Sequence, residues 1–167
     1  IRDSNSPGEL GAQGLNAYIF ALITLDSESY AVPDGSRYTR TSIIKEILAA
    51  EEPDGGFGLD KGAFDIDITA MALQALAPYC GSQNALSVGI SPGEISRTVD
   101  RALARLASVM KENCTFCSYG AENTESTAQV IIALCSLGID PRTDERFMRG
   151  GKNIVEGTVS YTHLTLP

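Results

Sequence analysis

Two kinds of apolar pattern alternate along the chain. In the first, apolar residues run almost unbroken. Ala70-Met-Ala-Leu-Gln-Ala-Leu-Ala77 has Gln74 as its only polar side chain, and Ala128-Gln-Val-Ile-Ile-Ala-Leu-Cys135 has only Gln129. A helix without a polar face is expected to be buried on every side. In the second kind, apolar residues recur at steps of three and four. Ile43, Ile44, Ile47 and Leu48 make one such stripe, with Lys45, Glu46 and Glu51 off it. Ile95, Val99, Leu103, Leu106 and Met110 make another, with Arg97, Asp100, Arg101 and Arg105 off it. The alternation predicts an inner layer of helices wrapped by an outer one. The expected order is inner 14–26, outer 40–51, inner 67–79, outer 94–112, inner 125–137 and outer 144–156. Val32-Pro-Asp-Gly35, Pro53-Asp-Gly-Gly56 and Ser91-Pro-Gly93 are turn signals between them. Gly138 followed by Pro141 stops the third inner helix. Asp67 sits where an N-cap belongs, as does Thr124 or Ser126 in the later helix.

The inner helices repeat one another. Asp67-Ile-Thr-Ala-Met-Ala-Leu-Gln-Ala-Leu76 aligns with Glu125-Ser-Thr-Ala-Gln-Val-Ile-Ile-Ala-Leu134, and more weakly with Asn16-Ala-Tyr-Ile-Phe-Ala-Leu-Ile-Thr-Leu25. Asn16 and Asp67 are 51 residues apart, and Asp67 and Glu125 are 58. A period of that length fits a repeated helical pair. It makes Asn16, Asp67 and Glu125 equivalent positions at three helix starts.

Composition narrows the function classes. The chain has 167 residues, 43% of them apolar, and a formal net charge of −8. An acidic surface argues against nucleic acid and anionic membranes, both of which attract Lys and Arg. No stretch approaches the roughly 20 apolar residues needed to span a bilayer. The last segment, Val159-Ser-Tyr-Thr-His-Leu-Thr-Leu-Pro167, does not keep its apolar residues on one face. It is similar to the in-frame translation of a sequencing adapter, and such segments are set aside from fold reasoning. The expected domain is therefore 1–158, with 159–167 as an unrelated tail. His163, the only His, goes with the tail.

Asp54-Gly-Gly-Phe-Gly58 after an outer helix, then Asp65-Ile-Asp-Ile-Thr-Ala70 opening an inner one, resembles the prenyltransferase and squalene-cyclase repeat. The resemblance covers about 14–157 and looks closest to the branch found in bacterial surface proteins. It implies an all-α fold, a partial (α/α)6 toroid of about three inner/outer hairpins, in a secreted or cell-surface protein. In a toroid the inner-helix starts gather around one mouth of the central cavity. Asn16, Asp67 and Glu125 would then face a small molecule or protein partner.

Asp65-Ile-Asp-Ile-Thr-Ala70 is also similar to the Asp-x-Asp-Asp-Thr-Ala box of class II terpene cyclases, in which the middle Asp protonates an alkene or epoxide. By that likeness Asp67 would be a general acid, with Asp65 beside it. Ile68 stands where the box has its next Asp, and the chain has no Trp to hold carbocations. The competing structural reading is a capping carboxylate at the positive end of a helix dipole. A third implication is a cobalamin-carrier-like binder, since those domains share the toroid. Spectral titration with cobalamin tests it.

The cysteines add little. Cys114-Thr-Phe-Cys117 has metal-like spacing, but one such pair is half a zinc site. Cys80-Gly-Ser-Gln83 is similar to the Cys-Gly-Glu-Gln thioester motif of complement-type toroids, with Ser82 in place of Glu. It is expected to follow a helix, where the motif leads into one. No metal and no cofactor is implied. The leading expectation is a non-catalytic binding module, with a cyclase-like enzyme as the alternative.

Half a ring leaves apolar edges uncovered, as in a solenoid without caps. Residues 1–158 alone are therefore expected to self-associate or to melt without cooperativity. A monomeric, cooperative thermal transition would count against the half-ring.

Overall fold

The structure, a computed structural model, describes residues 10–12, 14–118 and 120–165. Seven α-helices dominate them: α1 (Asn16–Ser27), α2 (Arg40–Ala49), α3 (Ile66–Leu76), α4 (Ser82–Ser87), α5 (Pro92–Val109), α6 (Thr124–Ser136) and α7 (Ile154–Thr165). Two small antiparallel hairpins join them, β1 (Phe116–Ser118) with β2 (Ala121–Asn123), and β3 (Met148–Arg149) with β4 (Lys152–Asn153). The helix α3 lies between α1 and α6 and touches both. Behind this row, α2 packs on α1, α5 on α3 and α7 on α6. The mostly helical class and the pairing of each apolar helix with a second helix both follow the alternating pattern.

The amphipathic helices bury the stripes expected of them. In α5 these are Ile95, Val99, Leu103 and Leu106, and in α2 they are Ile43, Ile44 and Ile47. Each fully buried Leu or Ile side chain contributes roughly 1.5–3 kcal/mol of transfer free energy. The apolar helices differ from expectation. They are not buried all round. Phe20 on α1 is 53% exposed and Ile132 on α6 is 48% exposed. On α3 Asp67, Met71 and Gln74 are half-buried at steps of four and three, as is Ile66 at its start. Apolar composition alone did not reveal this partly open stripe.

Helix starts are set by backbone geometry that the apolar pattern does not see. The N-cap of α3 is Asp65, not Asp67: its backbone is extended and its Oδ1 accepts from the Ile68 N–H at 2.9 Å. The N-cap of α6 is Asn123, not Thr124 or Ser126, with Oδ1 accepting from the Ser126 N–H at 3.1 Å. Both helices begin before their burial does, so the caps lie outside the apolar run.

The expected outer helix 144–156 is also corrected. Asp144 caps a single 3-10 turn, Glu145–Phe147, and β3 and β4 follow. Gly150 and Gly151 lie between them with φ of 56° and 80°, which a right-handed helix cannot contain. The last helix starts only at Ile154, capped by Asn153, whose Oδ1 accepts from the Val155 and Glu156 N–H groups. Once nucleated it propagates. Its backbone runs across the expected boundary at Thr158 as far as Thr165, so 159–165 continue α7. Residues 166–167 lie outside those described.

The repeat extends further back than its apolar part. Before α3, Gly55 N–H donates to Glu52 O and Glu52 N–H to Gly56 O. Before α6, Cys114 N–H donates to Lys111 O and Lys111 N–H to Thr115 O. Gly55 and Cys114 both have positive φ, 92° and 62°. Each turn delivers a fully buried phenylalanine, Phe57 or Phe116. Its N–H donates to a buried threonine hydroxyl in the next helix: Phe57 to Thr69 Oγ1 at 2.9 Å, Phe116 to Thr127 Oγ1 at 3.1 Å. Each hydroxyl donates in turn to the carbonyl of its helix's N-cap residue, Asp65 at 2.7 Å and Asn123 at 2.9 Å.

A separate network ties the other end. Arg40, the first residue of α2, pairs with Asp26 at 2.7 Å and donates to Leu25 O at the end of α1. A cation there complements the helix dipole. Tyr79 OH donates to the same Asp26 carboxylate at 2.9 Å. Burial, then this hydrogen bond, hold the Tyr79 phenol well above its usual range.

Replacing Thr69 or Thr127 by Val leaves a buried phenylalanine N–H without its acceptor. Each change is expected to cost about 1–3 kcal/mol in denaturant unfolding, and Thr→Ser much less. A larger loss for Ser than for Val would show that the methyl group, not the hydroxyl, holds the turn.

Candidate functional site

The N-terminal ends of α3 and α6 bring three carboxylates together. Asp65 is spent on its cap. Asp67, two residues on, projects from the first turn of α3 and is half-buried. Glu125 stands at the equivalent point of α6 and is exposed. The charges of Asp65 and Glu125 both act on Asp67. Asn16 begins the neighbouring helix α1.

Burial pushes the Asp67 carboxyl above its ordinary value of 3.8, and the two like charges push the same way. The Ser126 hydroxyl lies beside it and works against the rise. Yet neither Asp67 Oδ1 nor Ser126 Oγ reaches hydrogen-bond geometry with any described group, although both atoms are buried. Asn16 Oδ1 is buried and unpartnered as well. Two other buried atoms share that state, Glu51 Oε1 and Arg105 Nε, but each has an ion-pair partner, Arg101 at 3.0 Å and Asp54 at 2.9 Å. The polar atoms left without any partner thus collect at the starts of α1, α3 and α6. Ser126 was visible in the sequence only as a possible cap.

Further along the same face, Gln74 Nε2 donates to Gln129 Oε1 at 3.0 Å, joining α3 to α6. These are the two polar side chains that interrupt the apolar runs. They are 55 residues apart, three short of the 58-residue repeat, so the pair joins non-equivalent positions of the two helices.

The other candidates have structural explanations. Cys114 is buried, with its thiol against Lys152 O at 3.3 Å, while Cys117 is partly exposed on β1. Both are free thiols. Among the described residues no group of three His, Cys, Asp or Glu is placed to hold a metal ion. Cys80 follows the 3-10 turn Ala77–Tyr79, and Gly81 then caps α4, so the segment Cys80–Gln83 does lead into a short helix, contrary to expectation. Burial, then the charge of Asp100, raise the Cys80 thiol pKa, the opposite of activation. A groove of about 570 Å³ between α2 and α5 is lined by Leu48, Ala49 and charges of both signs. No described helix is long and apolar enough to cross a membrane.

Compared with family models, with characterised proteins and with solved structures, the chain gives no match.

The pH dependence of Asp67 has a definite sign. A pKa raised by folding means that the folded state binds the proton more tightly. The resulting stabilisation is complete below the ordinary value of 3.8 and is lost as pH rises through the folded pKa. Asp67→Asn removes that loss. Its unfolding free energy minus that of wild type should be larger, the variant relatively more stable, at pH 7 than at pH 3. A difference that is constant across this range would show that burial does not govern Asp67.

Proposed function

We propose that this chain forms three of the six hairpins of an α/α toroid and serves as a non-catalytic binding module of a bacterial secreted or cell-surface protein. Its ligand or protein partner docks at the mouth where the inner-helix starts gather. The carrying observation is the collection of unpartnered buried polar atoms, Asn16 Oδ1, Asp67 Oδ1 and Ser126 Oγ, at those starts. Buried polar groups are ordinarily paired, so a cluster of exceptions calls for a partner from outside the chain. The row α1–α3–α6, each member backed by another helix, supports the ring. So does the shared stripe left open on these helices, which would line the central cavity.

A second reading has an observation in its favour. A carboxyl whose pKa is raised by burial is suited to protonating a substrate at neutral pH. Under that reading Asp67 is the general acid of a terpene-cyclase-like reaction. Aromatic faces that would steady a carbocation are scarce: the chain has no Trp, and the exposed aromatic on the open stripe is Phe20 of α1.

Incubating the protein with polyprenyl substrates separates the two. No cyclised product is expected. Cyclised product from wild type, abolished by Asp67→Asn, would overturn the binding-module reading.

A further inference from the structure

We draw no further inference here: the strongest candidate, the groove of about 570 Å³ between α2 and α5, has its one largely buried carboxylate, Glu51, already matched by Arg101 at 3.0 Å and Thr98 at 2.8 Å, its other charged side chains are exposed, and nothing in the structure shows what would fill it.

Discussion

Two buried threonine hydroxyls hold the repeat in register. Thr69 and Thr127 each accept from the N–H of a buried phenylalanine in the preceding turn and donate to the carbonyl of their own N-cap residue. One side chain thus settles two backbone groups that no helix or strand ladder reaches. A buried N–H left unpaired costs about as much as several surface contacts gain. The turn therefore has one position relative to the helix. Phe57 and Phe116 are carried into the core by that position, and the N-caps Asp65 and Asn123 are carried to the helix ends. The glycines of the first turn fit the same constraint: a Cβ on Gly56 would stand 2.2 Å from the Phe64 ring, which Arg105 covers from 4.4 Å.

The clasp also decides what becomes exposed. With the threonine facing the turn, the residue two positions earlier falls on the opposite side of the first helical turn. That residue is Asp67 in α3 and Glu125 in α6. The same rotation exposes Met71 and Gln74 on one helix and Ile132 on the other, because positions four and seven residues on share that face. The packing requirement and the open stripe are two sides of one orientation. A helix clasped in this way cannot bury its whole circumference, whatever its composition.

This explains what the chain discloses when read as a string. The Thr-Ala repeat was legible because the same residue types stand at the same step of both helices, where one hydroxyl meets the same two backbone groups. The turn before it was not, because Asp54-Gly-Gly-Phe57 and Asn113-Cys-Thr-Phe116 share a conformation and one side chain only. Gly55 reaches its positive φ freely, whereas Cys114 holds 62° because its turn is pinned on both sides. The caps were misplaced by one to three residues because hydrophobic periodicity reports burial, and burial begins inside the helix. Gly150-Gly151 was absorbed into an outer helix by a pattern that counts apolar spacing and is blind to φ. Of the site, the acids were legible by repeat equivalence. Ser126 was not, because a buried serine beside a helix start looks like a cap until Asn123 is found to do that work.

The reassignment of the cap changes what Asp67 is for. A capping carboxylate is consumed: its oxygens accept backbone N–H groups and its charge is held by the helix dipole. Asp65 is consumed in this way. Asp67 lies within the same first turn and feels the same dipole, which would favour its ionised form. Its pKa is nevertheless raised, by the loss of water and by two neighbouring carboxylates, against the Ser126 hydroxyl. The folded state thus favours the protonated form of Asp67, and the cost of carrying its charge grows as pH rises.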